Sequence, residues 1–324
     1  MSEPPGPQRY QLSAPENERR FREQIVPTYL TNKPTREHPL AAVLVGQPGA
    51  GKTRAGKVIG DCLGGPTAYV ALDSDLFTPF HPDYARLLRT DDRLMTAATR
   101  ADGREWLAKA QRYAQTHRFD TLIDHTVDDL DYFETSLRSY HGAGYRVVVF
   151  VLAVPEALSR QGIIHRYHEQ PKHAGGGRLT IAAKAAASYR GILHGADLID
   201  QHQLAHVVGV FRRGFTGGST YLNTLTATGT WKHPPGLRQA IARERDQPLP
   251  IGERTSFLEV QQQLYRELPA GFLPELRTID TLAQPLLISR INSLTSPSTG
   301  PTPDQVIAHA RPTAPPPPHR GHGR

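Results

Sequence analysis

The chain has 324 residues and a mass of 35.8 kDa, with one cysteine, 38% apolar residues and a net charge of +7. One cysteine excludes an internal disulfide framework and a cysteine-based zinc cluster, and no apolar run approaches the roughly 18 residues of a spanning helix. The basic balance (pI 9.6) suits nucleic acid and phosphorylated ligands alike, but it comes mostly from scattered arginines without an RGG tract, zinc finger or dense basic run. Binding to nucleic acid is therefore not the expected reading. The first 40 residues hold no signal-type apolar stretch; the expectation is a cytoplasmic protein with a reduced Cys62 and no membrane segment.

Residues 1–14 begin rich in Pro and Gly and read as a flexible arm. Pro15-Glu16-Asn17-Glu18 opens a helix, with proline in the first turn and acids at the positive end of the dipole, and Pro27 is expected to stop it after Val26. Continuous apolar runs follow at 40–45, 67–72, 119–123, 145–154 and 206–211, each the mark of a strand buried on both faces. Helical patterns separate them at 52–62, 82–117 (with breaks near Thr90 and Gly103), 128–141, 155–169 and 180–196. Strands alternating with helices predict an α/β fold with a mainly parallel sheet covered by helices on both faces. Residues 217–222 suggest a turn and an edge strand, and 234–246, 253–267 and 276–294 are amphipathic. From Ser296 the chain is poor in apolar residues and holds eight prolines, which predicts a disordered tail. The expected organisation is an arm (1–14), an α/β domain (15–213), a mostly helical extension (214–295) and a Pro-rich tail (296–324).

The phosphate-binding signal lies directly after the first apolar run. Gly46-Gln47-Pro48-Gly49-Ala50-Gly51-Lys52-Thr53 is a GxxxxGK[ST] P-loop. Its glycines let the backbone curl so that successive N–H groups point at a phosphate, and the helix that follows adds its positive end. Lys52 is expected on the β- and γ-phosphates, and the Thr53 hydroxyl on Mg²⁺. About twenty residues on, Tyr69-Val70-Ala71-Leu72 leads into Asp73-Ser74-Asp75. Two carboxylates at the end of a strand beside a P-loop suit a small-molecule kinase, which needs a group to orient or deprotonate the acceptor hydroxyl. An N-K-x-D motif, which a GTPase would want, is missing. Arg166, and Arg178 after Gly175-Gly176-Gly177, are candidates for stabilising the migrating phosphoryl group. His81 before Pro82 reads as a turn residue, and Arg238, Arg243 and Arg245 as a solvated basic face.

These pieces resemble the zeta toxins, the P-loop kinases of toxin–antitoxin systems. The resemblance rests on VLVGQPGAGKT (43–53), LDSDLFTPFHPDY (72–84), LIDHT (122–126), GYRVVVFVLAVPEALSRQGIIHRY (144–167) and GGGRLT (175–180), in family order and near-family spacing. It implies a P-loop NTPase-type fold and ATP- or GTP-dependent, Mg²⁺-assisted phosphorylation of a nucleotide sugar, UDP-N-acetylglucosamine. Carried over by position, Asp75 is the base, Lys52 and Thr53 bind phosphate and Mg²⁺, and Arg166 and Arg178 stabilise the transferred group. Asp73 and Asp124 bind substrate. Asp124 stands where the family usually has Glu, and His125-Thr126-Val127-Asp128 stands where Gly-Thr-x-Arg is common. Glu105 is the nearest counterpart of a second substrate-contacting acid. The resemblance also implies a small helical antitoxin as partner. Two other readings stay open: a kinase of another acceptor (a different nucleotide, an antibiotic or a polynucleotide end), and a nucleotide-binding interaction module that no longer catalyses.

Overall fold

The structure is a computed structural model and describes residues 6–90, 92–169, 182–215, 217–288 and 300–311. Five strands run parallel: β1 (Leu40–Val45), β2 (Val70–Leu72), β3 (Thr121–His125), β4 (Arg146–Leu152) and β5 (Val207–Phe211). A sixth, β6 (Tyr221–Thr224), pairs antiparallel with β5, and the order across the sheet is β2-β3-β1-β4-β5-β6. The helices in the amino-terminal half are α1 (Ala14–Arg20), α2 (Lys52–Cys62), α3 (Ser74–Phe77), α4 (Tyr84–Thr90), α5 (Asp92–His117) and α6 (Leu130–Gly142). Those in the second half are α7 (Glu156–Glu169), α8 (Ala182–His202), α9 (Leu237–Arg245), α10 (Ile251–Glu267), α11 (Leu273–Leu287) and α12 (Pro303–Ala310).

The apolar runs do what their composition demands. Every residue of β1 is buried, and alternate side chains feed opposite faces of the sheet. Ala41, Val43 and Val45, with Val147, Val149 and Val151 of β4, pack against Trp106 of α5, Phe133 of α6 and Ile192 of α8. Leu40, Ala42 and Leu44, with Val148, Phe150 and Leu152, pack against Ile59 of α2, Leu158 of α7, Phe257 of α10 and Ile279 of α11. The expected α/β class is the observed one. Helices of the expected extension enter these same two cores: Leu237 and Ile241 of α9 join the first, and residues of α10 and α11 the second.

The structure differs from the sequence expectations at both ends. Pro27 does not end the first helix; π-type turns continue from Phe21 to Leu30, with the Thr31 N–H reaching back to Val26 O. The wider turns tolerate the missing proline N–H, and burial of Phe21, Ile25 and Leu30 holds the segment in place. Gly103 does not break α5 either. The arm is strapped down from residue 7: Leu12 N–H donates to Asp102 Oδ2 (3.2 Å), Asn17 Nδ2 to Asp102 Oδ1 (2.7 Å), and His81 Nε2 lies 3.0 Å from Tyr10 O. His81 thus serves a structural turn, also accepting from Asp83 N–H at Nδ1 (3.2 Å).

The tail contains α12, which corrects the expectation of disorder throughout 296–324. Its apolar residues are few, but Pro303, Val306, Ile307 and Ala310 fall at helical spacing and are all buried. A capping box between Thr302 and Gln305 starts the helix. Beyond it, Arg311 Nη2 donates to the fully buried Asp120 (3.0 Å), whose other oxygen accepts from Leu40 N–H at the start of β1 (2.7 Å). The polyproline run 315–318 lies outside the described residues. Replacing Ile307 by Ala is expected to destabilise the protein by about 2–4 kcal/mol, as for a core aliphatic truncation, read from urea unfolding. An unchanged midpoint would show that α12 does not belong to the core.

Candidate active site

The sheet order determines where the cleft lies. From β1 the chain crosses through α2 toward the β2 edge, whereas α7 leads from β4 toward the β5 edge. A crevice opens at the carboxyl ends of the strands where connections diverge. It is a single cleft of about 1540 Å³, lined by the P-loop, Asp73, Asp75, Asp124, Arg166 and parts of α5, α7 and α8. That exceeds the roughly 300–1,000 Å³ typical of a site for one small ligand, and leaves room for two.

The P-loop occupies the centre. Gly49 has φ +79°, and a Cβ there would lie 2.0 Å from Ser159 O of α7; Gly162 of α7 approaches the loop as closely, 2.6 Å from Gly49 O by the same measure. Two glycines thus let α7 pack directly onto the loop. The helix after the loop, α2, has Gly51 as its cap and no side-chain cap bond, so its first N–H groups face the cleft. Thr53, in that first turn, is exposed to it. Lys52 Nζ donates to Gly46 O (2.8 Å) and lies 3.5 Å from Asp124 Oδ1.

Asp124, the penultimate residue of β3, lies opposite Leu44 of β1. Burial pushes its carboxyl up to about 6; Lys52 opposes the shift, and Asp73 and Asp75 reinforce it. The neighbouring His125 faces the other way, stacked on Tyr132 at 5.4 Å, and burial holds it down to about 4. Asp73 and Asp75 do not lie on a strand. β2 ends at Leu72, Asp73 caps α3 by accepting from Asp75 N–H (2.9 Å), and Asp75 stands in the first helical turn. Both still line the cleft.

Arg166 projects from α7 into the same cleft. Arg178 lies outside the described residues. Glu105 is not among the lining residues; it pairs with Lys109 at 3.0 Å on the outer face of α5.

The sequence reading missed the basic wall of α5. Thr96, Arg100, Gly103, Arg104, Leu107 and Gln111 line the cleft at spacings of three and four, which makes Arg100 and Arg104 neighbours on one face. That spacing is legible only if the helix runs through Gly103. The cleft is also lined by Tyr132, 44% exposed, and by Asp128, whose carboxylate is held by Thr126 Oγ1 (2.6 Å) and Lys184 Nζ (3.5 Å). Between Thr126 and Asp128, Val127 has φ +54°, a strained conformation for a β-branched residue.

The fold and the cleft together define a P-loop protein of the kinase-like type. The zeta toxin family model matches residues 27–222, and the chain belongs to that family. It is 28% identical over 132 residues to toxin zeta of Streptococcus pyogenes, a match that spans 40% of this chain and 45% of that relative, under half its length. Among solved structures, a chain from the PezAT chromosomal toxin–antitoxin system of Streptococcus pneumoniae superposes with a TM-score of 0.65. The superposition covers 79% of this chain and 98% of that one at 15% identity, a likeness of fold. No helix among the described residues is long and apolar enough to cross a membrane.

Asp124 gives the site a pH signature. Its native pKa near 6 exceeds the unfolded value of about 3.9, so the native state binds the proton more tightly. The stability this contributes is complete below about pH 4 and is lost as pH rises through about 6. Relative to Asp124→Asn, wild type is expected to lose about 1–3 kcal/mol between pH 4 and 7.5, seen as a widening Tm gap in favour of the variant. A gap independent of pH would mean that the carboxyl titrates normally.

Proposed function

We propose that the protein transfers the γ-phosphoryl group of ATP or GTP to a hydroxyl of a phosphorylated small molecule, most closely a nucleotide sugar of the UDP-N-acetylglucosamine kind. The observation that carries this is the convergence of P-loop Lys52 with Asp73, Asp75 and Asp124 in one cleft sized for donor and acceptor together. The loop N–H groups and Lys52 bind the donor's phosphates, and Asp124 orients the Lys52 ammonium until they do. Asp75 takes the proton of the acceptor hydroxyl as its oxygen bonds to the γ-phosphorus and the bond to the β–γ bridging oxygen breaks. Arg166, and Arg178 beyond the described residues, balance charge on the migrating group. The described residues contain no cluster of three or more metal-ligating side chains. The Thr53 hydroxyl, exposed to the cleft in the first turn of α2, fits as a protein ligand of Mg²⁺, an ion that would supply Lewis-acid charge neutralisation.

The acceptor side departs from the family where Asp128 replaces an arginine. Asp128 pairs with Lys184, and Arg100 and Arg104 bring two guanidinium groups to the α5 wall of the cleft. This favours an anionic acceptor over a neutral sugar or antibiotic. A small antitoxin as partner and residence in the cytoplasm follow from family membership and belong to the same proposal.

Mass spectrometry of a reaction with Mg-ATP and UDP-N-acetylglucosamine is expected to show a product heavier by one phosphate, absent with Lys52→Ala. Asp75→Ala should abolish transfer while ATP still binds; a variant that keeps its rate would remove Asp75 from the role of base. The double variant Arg100→Ala/Arg104→Ala is expected to raise KM for the acceptor at least about tenfold with KM for ATP little changed. An unaltered acceptor KM would place its anionic group elsewhere.

A further inference from the structure

The basic face expected on α9 is solvated only in part. Arg243 is exposed and Arg238 pairs with Asp197 (2.5 Å), but Arg245 is turned inward and only 3% exposed. Its guanidinium lies over the Tyr189 ring of α8, 3.8 Å from the centroid. Nη1 donates to Tyr189 O (2.9 Å), Nη2 lies 3.4 Å from Gln47 Oε1, and Nε is buried without a hydrogen-bond partner. Among the described residues no carboxylate comes within ion-pair distance of it; Glu156 and Asp246 act only from farther away, and burial lowers its pKa to about 10. The contrast with the adjacent Glu244, which pairs with Arg212 at 2.5 Å, is direct.

Gln47 is the second residue of the P-loop, 1% exposed, and its Nε2 donates to Val154 O after β4 (2.7 Å). Its side chain therefore bridges the end of β4 to a buried cation from the extension, and its own carbonyl accepts the Ala50 N–H that shapes the loop (3.1 Å). Burying a charge without a contacting counter-ion is costly unless something of opposite sign approaches it. Arg245 does not itself line the cleft; it reaches the phosphate loop through Gln47, so its charge would act on a bound phosphate from behind the loop.

We propose that Arg245 is a positioning residue of the nucleotide site: it fixes the phosphate loop through Gln47 and sets α8 against it through Tyr189, and it adds a buried positive charge that phosphate binding offsets. The carboxyl-terminal helices thereby complete the donor site. This inference rests on the P-loop being a nucleotide site, which the same experiment checks separately.

The test is calorimetric titration of the full chain with ATP, for wild type, Arg245→Lys and Arg245→Met, with kinetics once an acceptor is in hand. Lys keeps the charge and Met keeps the approximate volume. Arg245→Met is expected to weaken ATP binding about tenfold, and Arg245→Lys to stay within about threefold of wild type, with KM for ATP moving more than kcat. Should Arg245→Met fail to fold, Arg245→Gln makes the same comparison while keeping a donor for Tyr189 O. Equal binding by wild type and the neutral variant overturns the inference alone, as does equal weakening by the neutral and Lys variants, which would reduce Arg245 to packing. A wild type that binds no ATP overturns the nucleotide reading and this inference with it.

Discussion

The structure depends on one constraint: β1 is buried on both faces. A strand with no exposed side chain has no room for chemistry along its length, so polar function is pushed to its carboxyl end. The loop leaving that end is the P-loop, and β3 and β4 flank it in register. Everything reactive then arrives from neighbouring strand ends: Asp124 from β3, Asp73 and Asp75 from the turn after β2, and α7 from the turn after β4. The close approach of α7 needs glycine on both sides, at 49 and 162, and this contact seats Arg166 within the same cleft.

Electrostatics in the cleft are arranged as an unfinished balance. Three carboxylates crowd one side, and burial raises one of them to about 6. Lys52 is held by Asp124 and by a carbonyl of its own loop. Phosphates entering here would exchange those partners for stronger ones, which is how a P-loop lysine can be kept in place before the ligand arrives. The α5 wall of the same cleft carries Arg100 and Arg104, so cationic and anionic side chains line one space.

Two buried carboxylates tie the ends of the chain to the core. Asp102, on α5, collects Leu12 and Asn17 from the amino-terminal segment, and Asp120, just before β3, collects Leu40 and Arg311. Each has partners on both oxygens, which lets an acid remain buried. Asp102 lies on α5, another face of which lines the cleft, so the amino-terminal segment braces that wall. Asp120 links α12 to the strand that leads into the P-loop. Neither end of the described chain is ornamental to the site.

The α/β class, the P-loop and the acidic block after β2 were legible because each is written in local chemistry: continuous apolar runs, glycines at fixed spacing, and charges directly after a strand. The strand at 40–45 and the helix at 52–62 match the expected bounds, since a buried run and a P-loop leave little freedom there. Three features were not legible. Arg245 read as solvated because a basic residue late in an amphipathic helix usually is, and only the packing of α9 against α8 and Gln47 turns it inward. Residues 303–310 read as disordered because composition averages away four apolar residues whose helical spacing matters only once a groove beside α2 receives them. Arg100 and Arg104 read as scattered charge because Gly103 suggested a break between them. The sequence by itself determined which backbone segments form the sheet and where the P-loop lies, because strand burial and P-loop geometry are local properties. Only the tertiary structure decided which distant charges share the cleft, because that depends on strand order and helix packing, which bring together residues as far apart as 47 and 245.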